Sequence, residues 1–198
     1  MRVSREASIN LIKKPQFVSR GGKKLAYALE RTEISVVDRV CLDVGISTGG
    51  FTDCLLQSVA KQVIGIDVAY GEIDTKLRTD PRLTLFERTN ARELPELPSE
   101  TDLVVMDVSF ISVTKILPSV FDSVSKNMDL LILVKPQFEA ERSDVKKGGL
   151  IFDHEIHART VSKVGKSAIE LGARVRGVIK SPITGAAGNR EFFLWLTK

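Results

Sequence analysis

The sequence predicts an α/β protein on a doubly wound, mostly parallel seven-stranded sheet with an antiparallel last strand. Three observations carry this. Seven short apolar runs recur at 40–44, 63–67, 82–86, 102–107, 129–135, 174–180 and 191–196, and several are rich in Val, Ile and Leu without polar alternation. That is the composition of strands covered on both faces. Helical patterns separate most of the runs, but only the turn-forming "SPITGAAGN" lies between the last two, so a hairpin closes the sheet.

In chain order, residues 1–18 read as a basic leader or the remnant of a preceding domain, and residues 19–198 as the folded domain. Arg2, Arg5, Lys13, Lys14, Arg20, Lys23 and Lys24 face only Glu6, and the cluster abuts a Gly-Gly turn at 21–22. Charge alone leaves nucleic-acid contact and a solvated face equally open. A short helix follows "SRGGKKL". In 49–60, Phe51, Cys54, Leu55 and Val59 follow the i, i+3, i+4, i+8 spacing of a helix, with Ser47 or Thr48 as its cap. In 153–171, Asp153 caps a helix whose stripe is Ile156, Val161, Val164, Ala168 and Leu171.

The bulk numbers exclude several classes. With 198 residues, 43% hydrophobic, 27% charged and a net charge of +4, the chain has the composition of one soluble domain. No apolar stretch spans a bilayer and no secretory core precedes residue 20, so a cytoplasmic protein without a membrane partner is expected. Cys41 and Cys54 read as packing residues. His154 and His157, at i, i+3, lack a third ligand at a suitable spacing and read as surface histidines; no metal is expected.

The chemistry begins at "VCLDVGISTGGFTDCLL". In doubly wound sheets, ligands bind beyond the carboxyl ends of the strands. Asp43 closes a strand there, and Gly45, Gly49 and Gly50 let a ligand approach the backbone. The spacing is not that of a pyrophosphate loop. A carboxylate followed by such a loop suits a ligand with an amino group, and S-adenosylmethionine fits. Ser47 and Phe51 belong to the same candidate cofactor site. Asp67, ending "VIGID", can accept from both hydroxyls of a ribose, and Asn90 and Ala91 in "RTNAR" can meet the adenine. The bland alternative, that Asp43 or Asp67 only caps a helix, stays open for each alone.

At the same sheet edge, Asp107 ends "TDLVVMDVSF" and Lys135 ends "LLILVKPQF". The Asp-Val-Ser-Phe sequence lacks the prolines of amino-group methyltransferases and argues against a nitrogen acceptor. Glu191 opens an antiparallel strand and so reaches the same edge, which a helix carrying Lys24 can cover. Phe110 and Phe138, just beyond two strand ends, can stack a splayed base or pack as a lid. "EAERSDVKKGG", 139–149, reads as a mobile charged loop whose Lys146 and Lys147 can touch phosphate.

Nine stretches in order, "FVSRGGKKL", "DVGISTGGFTDCLL", "GIDVAYG", "ERTNAR", "DVSFIS", "LVKPQFEA", "KGG", "SPITG" and "GNREFFLWL", resemble the TlyA family of FtsJ-like methyltransferases, long labelled hemolysins. The resemblance runs from about residue 16 to 196. It implies a Rossmann-like class I methyltransferase fold and transfer of methyl from S-adenosylmethionine to a ribose 2′-hydroxyl of ribosomal RNA, a cytidine. It also implies ribosomal RNA or ribosomal subunits as partners, and Lys24, Asp107, Lys135 and Glu191 as the family's Lys-Asp-Lys-Glu set. Lys23 doubles the lysine, and register favours Lys24. Arg20, Lys23, Phe110, Phe138, Lys146 and Lys147 are the candidate RNA contacts. Members of the family usually carry an S4-like domain ahead of the catalytic one, and only "MRVSREASINLIKK" precedes the match. Three other readings stand beside this one: an RNA-binding pseudo-enzyme, a membrane-active hemolysin and a dinucleotide dehydrogenase. For a methyltransferase, the expected roles are Lys135 as base or hydroxyl anchor, Asp107 and Lys24 as its orienting and charge-stabilising neighbours, and Glu191 as a hold on the hydroxyl or a lysine. A lysine base near neutral pH must drop by roughly 3 units from a reference of about 10.4, which is about 4 kcal/mol.

Overall fold

Paired side by side, the seven apolar runs form one sheet in the order β3-β2-β1-β4-β5-β7-β6, seen in a computed structural model that describes residues 15–125 and 127–198. The strands are β1 (Val40–Val44), β2 (Gln62–Ile66), β3 (Leu83–Phe86), β4 (Leu103–Met106), β5 (Asp129–Val134), β6 (Arg174–Lys180) and β7 (Phe192–Thr197). Pairing is parallel from β3 through β5, and β7 runs antiparallel to both β5 and β6. The order reverses between β1 and β4, so the crevice for a ligand opens beyond Val44 and Met106.

Alternate residues of each strand feed two cores. Leu42, Val44, Val104, Met106, Leu130, Ile132 and Leu194 face α4 (Leu117–Ser123) and α6 (His154–Glu170). Cys41, Val105, Leu131, Leu133 and Phe193 face α1 (Arg20–Thr32), α2 (Gly50–Gln57) and α3 (Thr75–Arg78). Each fully buried Leu or Phe contributes about 1.5–3 kcal/mol. A four-residue α5 (Pro136–Glu139) follows β5 directly.

Several local expectations are corrected. Gly21 and Gly22 are not a turn; they lie in the first turn of α1, whose N-cap Ser19 accepts from Gly21 N–H. A Cβ on Gly22 would stand 2.3 Å from the Phe17 ring, so glycine is what lets Phe17 cover the helix. Phe17 is therefore buried, and Val18 N–H donates to Asp53 at 2.8 Å; both pack on the domain, inside the span expected to be leader. The remaining leader, residues 1–14, lies outside the described residues. Neither Ser47 nor Thr48 caps α2. Its N-cap is Gly49 at φ +93°, where a Cβ would meet Leu77 at 2.3 Å. Asp153 does cap α6, accepting from Glu155 N–H. His157 is buried, not superficial: Nε2 lies 3.1 Å from the Ile151 carbonyl. The charged loop at 139–149 is tied down. Asp144 pairs with Arg159, and Asn189 donates to Gly149 O and accepts from Ile151 N–H.

Candidate active site

The crevice at the switch point has two lobes, with cavity volumes of about 490 and about 360 Å³, that share Gly45, Ser47, Asp107, Ser109 and Phe110. All four members of the expected Lys-Asp-Lys-Glu set line the first lobe.

They arrive as two ion pairs. Lys24 sits on the inward face of α1 beside buried Leu25, Ala28 and Leu29, and its Nζ donates to Glu191 Oε2 at 2.6 Å with both side chains buried. Glu191 reaches this edge because β7 is antiparallel: Phe192, the next residue, pairs with Val134 at the carboxyl end of β5. Lys135, one residue beyond Val134, places Nζ 2.7 Å from Asp107 Oδ1 and donates to Ser109 Oγ at 2.6 Å. Asp107 follows β4 in the same way. Among the described residues no donor makes a well-aligned hydrogen bond to Asp107 Oδ1, so that buried oxygen is held by the charge of Lys135. Two glycines permit the convergence. A Cβ on Gly45 (φ +86°) would stand 2.6 Å from Asp107 O, and one on Gly185 would stand 2.4 Å from Glu191 Oε1.

The second lobe suits a nucleoside. Asp67 accepts from Ser47 N–H at 2.7 Å and Ala69 N–H at 2.9 Å, which orients its carboxylate and leaves lone pairs for a diol. Val68, Ala91 and Ile116 give the lobe an apolar wall beside Asn90, whose side chain is turned to its own loop, accepting from Arg92 N–H.

The other candidate residues separate. Gly45, Ser47 and Gly50 line the cleft; Gly49 shapes it through its positive φ. Phe51 lines the first lobe while stacking on Phe193, rings 6.0 Å apart. Arg20 lines the first lobe and donates to Thr184 O, whereas Lys23 is exposed and lines neither lobe. Phe110 is 91% exposed at φ +65°, its ring 5.1 Å from that of Phe138. Lys146 and Lys147 are exposed next to Gly148 and Gly149 of the cleft wall. Sequence reasoning missed Ser19, Ser109, Gln137 and Glu72, which also line the lobes. Only Ser109 had a signal, its place in "DVSF" between Asp107 and Phe110. Among the described residues there is no cluster suited to a metal and no helix able to cross a membrane.

Asp43 differs from its expected place. It is fully buried and lines neither lobe; Thr52 Oγ1 donates to Oδ2 at 2.7 Å, and Oδ1 has no hydrogen-bond partner among the described residues. Burial, opposed by the Thr52 hydrogen bond and reinforced by the charge of Asp107, pushes its carboxyl up to about 7. A carboxyl that binds its proton more tightly when folded costs stability as pH rises from the ordinary carboxylate range to 7, and the cost is complete above that. Asp43→Asn is therefore expected to stabilise the protein by up to about 4 kcal/mol at pH 8 and by less at pH 5. Urea melts at the two pH values check this; an equal difference at both would refute it.

Residues 17–198 match the FtsJ-like methyltransferase family. The chain is 48% identical over 182 residues to the 16S/23S rRNA (cytidine-2′-O)-methyltransferase TlyA of Mycobacterium tuberculosis, covering 91% of this chain and 68% of that protein. It is 41% identical over 191 residues to Hemolysin A of Brachyspira hyodysenteriae, covering 93% and 78%. A solved structure from Lactococcus lactis that carries a hemolysin label superposes with a TM-score of 0.89 at 42% identity, over 92% of this chain and 89% of that one. In sequence and in fold, then, this chain belongs to the FtsJ-like methyltransferases, in the branch that contains the TlyA proteins.

Proposed function

We propose that the chain transfers a methyl group from S-adenosylmethionine to a ribose 2′-hydroxyl of ribosomal RNA, at a cytidine. One observation carries the reading: the Lys24–Glu191 and Lys135–Asp107 pairs meet in one lobe beside a glycine-lined nucleoside lobe. The name of the Mycobacterium tuberculosis relative supplies the acceptor.

The residues present fit the cofactor. Gly45 lines both lobes with backbone and no side chain, Asp67 offers a carboxylate to a diol, and Ala91 with Ile116 offers an apolar slot. When bound, S-adenosylmethionine supplies a methyl already activated on a sulfonium, so the protein must aim a hydroxyl and take its proton. Lys135 anchors the hydroxyl as an ammonium or, in its neutral amine form, accepts the hydroxyl proton at Nζ, and Asp107 and Ser109 hold that nitrogen in place. Lys24 offsets the developing negative charge, and Glu191 keeps Lys24 aimed into the lobe.

Phe110 fits a platform for the acceptor base. Left-handed backbone costs a non-glycine residue about 1–2 kcal/mol, and here it leaves a phenyl ring in solvent beside the lobe. Phe110→Ala is expected to raise the KM for RNA about tenfold and to leave cofactor affinity unchanged, since base stacking is worth about 1–3 kcal/mol. Titration with S-adenosylmethionine and initial rates against RNA concentration check both halves.

The function is tested by transfer of labelled methyl onto free ribosomal RNA and onto ribosomal subunits, followed by digestion to nucleosides. Label in 2′-O-methylcytidine is the expected result. Label on a base, or cofactor binding without transfer to either substrate, would overturn the proposal.

A further inference from the structure

Glu139 is a buried carboxylate that the mechanism above does not use. Its oxygens accept from Ser112 Oγ at 2.5 Å and from Val113 N–H at 2.6 Å. Lys163 of α6 closes the site, with Nζ 3.8 Å from Oε2 and donating to the Glu139 carbonyl at 2.7 Å. Burial raises the Glu139 carboxyl above its ordinary value against these hydrogen bonds.

Where these partners lie gives the arrangement its meaning. Glu139 is four residues beyond Lys135 and one beyond Phe138; Ser112 and Val113 follow Asp107, Ser109 and Phe110 on the neighbouring loop. Three contacts thus join the two loops in register. Lys135 meets Asp107 and Ser109, Phe138 meets Phe110, and Glu139 meets Ser112 and Val113. The first two rungs stand at the cleft and must accommodate substrate; the third is buried behind them. The geometry points to Glu139 as a positioning residue for methyl transfer: it pins the loop after β5 to the loop after β4, and so holds Lys135 on Asp107 and Phe138 beside Phe110. This rests on the reading of the cleft as an RNA methyltransferase site. The second lobe is built on the segments after β1, β2, β3 and β4, and no residue of the segment after β5 lines it. Loosening the clamp is therefore a defect of turnover and RNA engagement more than of cofactor binding.

The experiment compares wild type, Glu139→Ala, Glu139→Gln and Ser112→Ala as full chains. It measures kcat and KM for RNA, S-adenosylmethionine affinity by calorimetry, and the acylation rate of Lys135 by an amine reagent, read by mass spectrometry. A misplacement near 1 Å costs about a hundredfold. Glu139→Ala is expected to lower kcat by about tenfold to a hundredfold, with cofactor affinity kept within about threefold and Lys135 acylated severalfold faster. Glu139→Gln, whose amide oxygen still accepts from Val113 N–H, is expected to recover most of the kcat. An unchanged kcat in folded Glu139→Ala overturns the assignment. So does a parallel loss of kcat and cofactor affinity that glutamine does not rescue. If Glu139→Ala does not fold, Ser112→Ala decides: a severalfold lower kcat at unchanged cofactor affinity supports the clamp, and wild-type kcat overturns it. A wild-type protein inactive on RNA refutes the proposed function instead, and the Lys135 acylation rates then judge the clamp alone.

Discussion

Lys135→Ala is expected to lower kcat for methyl transfer by about a thousandfold while S-adenosylmethionine binds within about threefold of wild type, the middle of the range for loss of a positioned acid–base group. Geometry separates the two effects. Lys135 lines the first lobe with Asp107 and Ser109, whereas Asp67, Asn90 and Ala91 line the second. Its Nζ makes an ion pair and a hydrogen bond within the site, so removing it leaves Asp107 and Ser109 without the group they orient. Lys135→Arg sharpens the test. Arginine keeps the positive charge but never yields its proton near neutral pH, and its fork has a different reach. If Lys135 works as a base, arginine is about as inactive as alanine; if it only anchors the hydroxyl through charge, arginine retains measurable turnover. Single-turnover rates with saturating cofactor check this, and wild-type transfer by Lys135→Ala would remove Lys135 from the mechanism.

Lys24→Met is expected to destabilise the fold by about 3–5 kcal/mol, the cost of leaving a buried charge without its partner. Lys24 and Glu191 are separated by 167 positions in the chain, and both are more than nine-tenths buried. The pair holds α1 against the start of β7, so its loss is felt across the cleft. Lys24→Met combined with Glu191→Leu should regain most of that stability, since an apolar pair of similar volume avoids desolvating two charges. It should not regain activity. Urea melts of the two single variants and the double variant, with methyl transfer alongside, check the split. A loss in the double variant equal to the sum of the two single losses would show that the pair is not coupled.

What was readable before folding follows from the range of the forces involved. Strand positions depend on local apolar runs, and the seven expected strands lie within a residue or so of those observed. The hairpin was legible because "SPITGAAGN" leaves no room for a crossover helix, and that alone puts Glu191 at the carboxyl edge. From there Asp107, Lys135 and Glu191 share an edge by strand direction alone. The misreadings cluster where a distant contact decides a local conformation. Position 22 needs glycine because Phe17 covers that turn of α1, and position 49 needs it because Leu77 occupies the space a Cβ would take.

The chain alone, then, dictates the class of fold, the strand ends that carry the acidic and basic groups, and the glycines that let those ends come close. Periodicity and turn chemistry act over a few residues, and these features need nothing more. The pairing of Lys24 with Glu191, the retreat of Asp43 behind its loop, and the clamp of Glu139 on Ser112 and Val113 depend on packing between segments 26 to 167 positions apart or on depth below the surface. Burial and long-range pairing are properties of the assembled core, so only the tertiary structure settles them.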